Sequence, residues 1–248
     1  MIERALDDDG ILTLRLAHGK ASALDVELLE ALVPAFQDLG GARAVILTGT
    51  GSIFSAGVDL FRILDGGQAY ADRFYPLLSD VVRALFALPV PVVAAVNGHA
   101  IAGGGVMTLA ADYKVMAEGS GRVGVPELLV GVPFPAAALE VVRFAVSPDR
   151  VQALIYTGRT LPPAEAHAFG LVDEVVPADA LLRRAKEVAS QLASLSPDVF
   201  RMSKQHVRAQ ALARMDGAAE YDRAALALWS APETHARIRD YVQRTMRR

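Results

Sequence analysis

Glu127 follows Pro126 in an apolar setting of Val125, Leu128, Leu129 and Val130. Desolvation among such neighbours disfavours the charged carboxylate, raises its pKa and suits it to general acid or base work. The competing reading is an exposed first-turn glutamate satisfied by a helix N-terminus. Upstream, Val92–Val96 is an apolar run that ends at Asn97-Gly98 and leads to Gly103-Gly104-Gly105 and a helical stretch. Glycines at a helix start admit close approach and leave first-turn N–H groups unpaired, with the positive end of the helix dipole behind them. Such a site holds an anion, or an oxygen on which negative charge develops. Tight packing alone would also account for the glycines. A second exit of this kind, Phe54–Leu60, follows the apolar run Ala44–Thr48. Two such exits can supply two donors to one oxygen.

Other candidates read as structural. Asp59 suits a helix cap or loop anchor, and Asp112 ends the glycine-started helix. Met107 fills core or lines a pocket. His99 packs or bonds locally, and His206 sits in a basic stretch, Arg201–Arg208, that reads as a solvated helix face. No nucleophile elbow and no phosphate loop is present. The absence of cysteine removes disulfides and thiolate chemistry, and no histidine pair has metal-ligand spacing. The net charge of −3 gives no electrostatic case for a nucleic-acid partner. No apolar run approaches a membrane span, and the acidic start MIERALDDDG lacks the blocks of a signal peptide. The expectation is a soluble cytoplasmic protein.

The elements that must position these residues follow from periodicity. At 248 residues and 52% hydrophobic content, the chain suits one large α/β unit. Ile11–Leu16 alternates as a half-buried strand. Asp25 caps a helix with Leu28, Leu32 and Phe36 on one face, and Pro34 predicts a kink or early break. Ala44–Thr48, Val92–Val96 and Tyr113–Ala117 read as buried strands, and Arg122–Val125 as a short one. Gly49–Asp59 reads as a loop, Asp65-Gly66-Gly67 as a turn, and a helix is predicted from about Tyr70 to Leu88. Helices are also predicted over Ala136–Ala145, Pro148–Thr157 and Thr160–Phe169, with a last strand over Leu171–Val176. From Ala178 the pattern is helical, broken at Pro197, Gly217 and Pro232. The class is α/β with an appended helical segment.

These residues resemble the crotonase family, the enoyl-CoA hydratase/isomerase superfamily. FSAGVDL at Phe54–Leu60 and PVVAAVNGHAIAGGG at Pro91–Gly105 look like its two oxyanion-hole loops, and GLVDEVVP at Gly170–Pro177 is another family segment. The resemblance implies a spiral of ββα turns over 1–195. It also implies a C-terminal helical oligomerisation region over 196–248 and a homotrimer or dimer of trimers. It implies an acyl-CoA thioester substrate, with coenzyme A as part of that substrate and no separate cofactor or metal. The oxyanion donors it implies are the N–H groups of Val58 and Gly104. The family's hydratases use two glutamates; the first position here is Met107, and the second is Glu127. One carboxylate is the pattern of its Δ3,Δ2-enoyl-CoA isomerases, which GVPELLVGVPF at Gly124–Phe134 and the tail Ala211–Met246 also resemble. The implied activity is isomerisation of 3-enoyl-CoA to 2-enoyl-CoA by Glu127. The alternatives are a hydratase, a thioester hydrolase, or an acyl-CoA-binding relative without turnover. Met107, Phe134 and Leu60 would keep water from the acyl chain. Coenzyme A would lie along Lys20, Ala21, Ser22, Ala23 and Leu24 and along Ala56–Leu60, Asp59 included. Lys20 suits a phosphate, and Tyr241 and Arg244 match a nucleotide-contacting segment. A solvated helix-end cation is the other reading of Arg244.

Overall fold

Each apolar run enters one sheet and its continuation enters another, and this repeated step builds the molecule. The computed structural model describes residues 1–245; Met246, the last residue of the tail named above, lies outside them. The chain opens with β1 (Ile2–Leu6) and β2 (Ile11–Leu16), then α1 (Val26–Gln37). One turn follows as β3 (Ala44–Thr48), β4 (Ile53–Ser55) and α2 (Leu60–Phe86). The next is β5 (Val92–Val96), β6 (His99–Ile101) and α3 (Gly103–Ala110), and the third is β7 (Tyr113–Ala117), β8 (Val123–Gly124) and α4 (Glu127–Val130). Then come α5 (Ala136–Ala145), α6 (Pro148–Thr157), β9 (Thr160–Leu161), α7 (Pro163–Phe169) and β10 (Glu174–Val176). The chain finishes with α8 (Leu181–Ala193), α9 (Pro197–Asp216), α10 (Ala219–Trp229) and α11 (Pro232–Thr245).

The first strand of every turn joins a six-stranded sheet, β1-β2-β3-β5-β7-β10, and the second joins a four-stranded sheet, β4-β6-β8-β9. The large sheet is parallel from β2 to β10, with register Val45↔Val92 and Val96↔Met116. Its alternate side chains serve two cores. Val92, Ala94 and Val96 face the inside of the spiral, while Val93 and Ala95 face α8 through Ala185, Val188 and Ala189. Burial on both faces is why these strands read as unbroken apolar runs. Asn97 ties one turn to the previous one: its Nδ2 donates to the Gly51 and Ile53 carbonyls, and its Oδ1 accepts from the Gly49 N–H at 2.9 Å.

Several expectations are corrected. Ile53–Ser55 lies within the predicted loop, yet pairs with β6 as a strand. The helix expected from Tyr70 begins at Leu60, capped by Asp59. The expected turn survives only as a kink at Gly67, whose φ of 57° departs from helical geometry. Pro34 does not end α1, which continues to Gln37. Thr160 and Leu161 form a strand rather than a helix start, and β10 is shorter than predicted. The stretch Arg201–Arg208 is not a solvated face throughout: Lys204 and Arg208 are only 8% and 4% exposed. Both pair with Asp112, at 2.6 and 2.7 Å, and Asp112 also accepts from the Val92 N–H. Burial pulls Lys204 down to about 8 despite the attraction of Asp112.

The C-terminal helices fold back on their own chain. α9 packs on α5, α10 and α11 pack on α2, and α11 also meets α4. Ala211, Met215, Ala225, Trp229, Ile238 and Val242 enter the same apolar cluster as Leu12 and Leu47. No helix among the described residues is long and apolar enough to cross a membrane.

Candidate active site

The first exit is fixed by main-chain bonds to the segment Ala21–Leu24. Ala56 N–H donates to Ala21 O, Leu24 N–H to Gly57 O, and Asp59 N–H to Leu24 O. In this parallel bridge Leu24 engages residues 57 and 59, so the N–H of Val58 faces the other way. Ser55 Oγ donates to Ser22 O at 2.8 Å and accepts from Gly57 N–H, which pins the turn. The second exit starts at Ala102, a non-glycine residue at φ 52°, a conformation that side chains adopt only at a cost in strain. Ala102 N–H donates to Gly124 O, and α3 begins directly after it. Among the described residues, the N–H groups of Val58 and Gly104 have no hydrogen-bond partner.

The two exits touch. A Cβ on Gly57, at φ 81°, would fall on the Ile101 carbonyl and within 2.8 Å of the Ala102 methyl. A Cβ on Gly104 would fall on the Ser55 carbonyl oxygen. Glycine at these two places therefore sets the separation of the donors.

Glu127 sits at the start of α4, where Gly131, at φ 96°, and Val132 both send N–H bonds back to its carbonyl. Its side chain is 7% exposed, and its Oε2 has no hydrogen-bond partner among the described residues. Burial pushes the carboxyl up to about 8, opposed only by its own main-chain N–H. It faces a cavity of about 40 Å³. Ala56, Val58 and Leu60 contribute from the first exit, and Ile101 and Ala102 from the second. Pro126, Val130 and Val132 flank the carboxylate, and Trp229 and Tyr241 close the cavity from α10 and α11. One acid–base group, the residue of one unpaired amide, Val58, and an apolar lining thus share one small space, with Gly104 in the frame behind it. That arrangement can move a proton on a carbon next to a polarised carbonyl.

The sequence candidates divide. Glu127, Val58, Ala56, Leu60 and Tyr241 line the cavity, while Gly104, Ala21 and Leu24 build its frame. Tyr241 reaches the cavity of its own chain. Ser22 is buried at φ 43°, and its hydroxyl is committed to Leu16 O. Lys20 is exposed and Ala23 half-buried on the same loop. The Asp59 carboxylate is engaged as a cap, accepting from Phe61 and Arg62 N–H groups. Met107 and Phe134, expected beside an acyl chain, do not line this cavity. Every residue of α3 is buried, so Met107 points into packed core. Phe134 lines a separate cleft of about 650 Å³ with Leu128 and Pro133. Arg244 is exposed and paired with Asp240 at 2.9 Å, which fits a solvated helix-end cation. Trp229, Ile101, Ala102 and Val132 escaped the sequence reading. The only tryptophan, four residues after Ala225 on one face of a helix, was the available signal for Trp229.

A spiral of ββα turns, with helices folded back over a buried carboxylate and two glycine-rich exits, defines a crotonase-fold protein. A family model described as enoyl-CoA hydratase/isomerase matches residues 7–243, and the chain belongs to that family. Its members act on acyl-CoA thioesters. The chain is 37% identical over 193 residues to a putative enoyl-CoA hydratase of Thermus thermophilus, covering 75% of each. It is 36% identical over 204 residues to a carnitinyl-CoA dehydratase of Salmonella typhi, covering 80% of this chain and 77% of that one. The structure of human mitochondrial delta3-delta2-enoyl-CoA isomerase superposes with a TM-score of 0.94 over 99% of this chain and 98% of that one. At 23% identity, that likeness is one of fold. An enoyl-CoA hydratase/isomerase family protein from Pseudomonas syringae gives a TM-score of 0.84 at 29% identity, covering 91% and 97%.

Proposed function

We propose that this chain isomerises a 3-enoyl-CoA to the conjugated 2-enoyl-CoA with Glu127 as its one base. The observation that carries the reading is the isolation of Glu127, whose buried Oε2 has no hydrogen-bond partner among the described residues. The thioester oxygen accepts from the N–H groups of Val58 and Gly104. Glu127 takes the proton from C2, and charge passes to the thioester oxygen as a dienolate. Each donor stabilises that charge by about 3 kcal/mol in comparable sites. Protonated Glu127 then delivers the proton to C4, and the double bond ends between C2 and C3. Met107, at the family's first glutamate position, cannot help split a water. Coenzyme A enters as part of the substrate along residues 20–24 and 56–60, with Lys20 toward a phosphate.

The test offers 3-enoyl-CoA and follows the absorbance of the conjugated product. Glu127→Gln is expected to lose at least a hundredfold in kcat; retained activity would exclude it as the base. The likeness to an enoyl-CoA hydratase and a carnitinyl-CoA dehydratase favours hydration instead. Efficient conversion of 2-enoyl-CoA to 3-hydroxyacyl-CoA would select that reading, and free coenzyme A as product would select hydrolysis. Tight acyl-CoA binding with no conversion would select a binding protein. A homotrimer or dimer of trimers in the cytoplasm completes the proposal. The exposed apolar side chains Val199, Met202 and Val207 of α9 suit subunit contacts, and light scattering measures the mass.

A further inference from the structure

We infer that Trp229 is the wall that sets acyl-chain length and that the enzyme favours a short acyl group. This rests on the cavity beside Glu127 being the acyl site of the isomerase proposed above. The cavity offers about 40 Å³, against about 650 Å³ for the cleft on the other side of segment 127–134. It therefore suits a short acyl segment. With the thioester oxygen on the N–H groups of Val58 and Gly104, as proposed above, the space beside Glu127 takes C2, C3 and C4. Those are the atoms between which Glu127 moves the proton.

Trp229 is a fixed wall of this cavity. Trp229 is 1% exposed, and its Nε1–H donates to the Pro133 carbonyl at 2.9 Å. Its ring lies 6.0 Å from the rings of Phe74 and of Tyr75, on α2. Tyr75 in turn donates its hydroxyl proton to Asp222 of α10 at 2.7 Å, and Asp222 accepts from the Ala136 N–H of α5. The indole is thus held from three directions, and swinging it aside breaks a buried hydrogen bond and two ring contacts. The segment 127–134 is a partition. Glu127, Val130 and Val132 line the small cavity, while Leu128, Pro133 and Phe134 line the cleft of about 650 Å³. The Trp229–Pro133 bond seals the two apart. A longer chain has room only after that seal is removed.

The experiment compares 3-enoyl-CoA substrates of four, six, eight and ten carbons on wild type, Trp229→Phe and Trp229→Ala. In an unlimited apolar channel each added methylene raises kcat/KM roughly fourfold. Wild type is expected to peak at four carbons and fall at least tenfold by eight. Trp229→Ala is expected to reverse this, with the eight-carbon substrate gaining at least tenfold relative to the four-carbon one. Trp229→Phe keeps an apolar ring in the core and is expected to give a smaller gain, which serves if the alanine variant does not fold. A wild-type optimum at eight carbons or more overturns the proposal, as does an unchanged length profile in a folded Trp229 variant. A parallel arm measures binding of butyryl-, hexanoyl- and octanoyl-CoA to Glu127→Gln by calorimetry. If no 3-enoyl-CoA of any length is converted, the isomerase reading fails. Tightest binding of butyryl-CoA, shifted toward octanoyl-CoA by Trp229→Ala in that background, then still upholds the wall; equal affinities for all three overturn it.

Discussion

Replacing Glu127 by Gln should abolish turnover and, at alkaline pH, make the protein more stable. A buried carboxyl carries its proton more tightly in the folded chain, at about 8 against an ordinary value of 4.5. Below pH 4.5 both folded and unfolded chains are protonated, and the group has no linkage effect. Between 4.5 and 8 only the folded chain keeps the proton, so each pH unit removes about 1.4 kcal/mol of stability. Above pH 8 the carboxylate is charged in both states and the loss is complete. Over the gap of about 3.5 pH units the loss is roughly 5 kcal/mol. Glutamine has the same shape and no charge, so it escapes this loss. Its buried amide, without partners, costs about 1–3 kcal/mol of its own. The net gain at pH 9 is then about 2–4 kcal/mol, or roughly 5–15 °C in Tm for a chain of this size. Thermal melts of wild type and variant at pH 5, 7 and 9 measure it. The wild-type Tm should fall as pH rises while the variant stays level, with the variant the less stable at pH 5 and the more stable at pH 9. Superimposed curves from pH 5 to 9 would refute the claim that burial isolates this carboxylate.

The pH dependence of turnover follows from the same group: kcat/KM for a 3-enoyl-CoA should rise about tenfold per pH unit and level off near pH 8. A rate already flat from pH 5 to 8 would show that another group is the base. Gly104→Ala places a methyl on the Ser55 carbonyl; the forced shift of the second exit should reduce kcat by at least a hundredfold, with circular dichroism checking that the fold survives. Asp112→Ala leaves Lys204 and Arg208 buried without their carboxylate, and denaturant unfolding should show a loss of about 3–5 kcal/mol. Because Asp112 lies outside the cavity, the surviving folded fraction should keep its KM.

Elements that owe their signal to local chemistry were legible in the residues. Ala44–Thr48, Val92–Val96 and Tyr113–Ala117 are buried on both faces, so each strand is an apolar run bounded by breakers. Asp25 caps α1 as its position announces, accepting from the Leu28 N–H at 2.8 Å. The glycine exits and the apolar neighbours of Glu127 are local too, which is why the cavity-lining groups Val58 and Glu127 could be named in advance. Ile53–Ser55 and His99–Ile101 carry too few residues for a period, and Ile2–Leu6 is exposed along most of its length and so lacks an apolar face; all three were invisible until their partners lined up beside them.

Tertiary structure decided the rest, because the deciding contacts come from residues far apart in the chain. Lys204 and Arg208 have the pattern of surface cations, and only the return of α9 to Asp112, over 90 residues back, buries them. Met107 and Phe134 lie near Gly104 and Glu127 in sequence, but helix and loop geometry turns them into core and into another cleft. The closing wall comes from α10 and α11, whose Trp229 and Tyr241 share no motif with Glu127. By itself the sequence determined which backbone amides and which carboxylate are available for chemistry. How much room lies beside that carboxylate depends on where helices from the end of the chain come to rest.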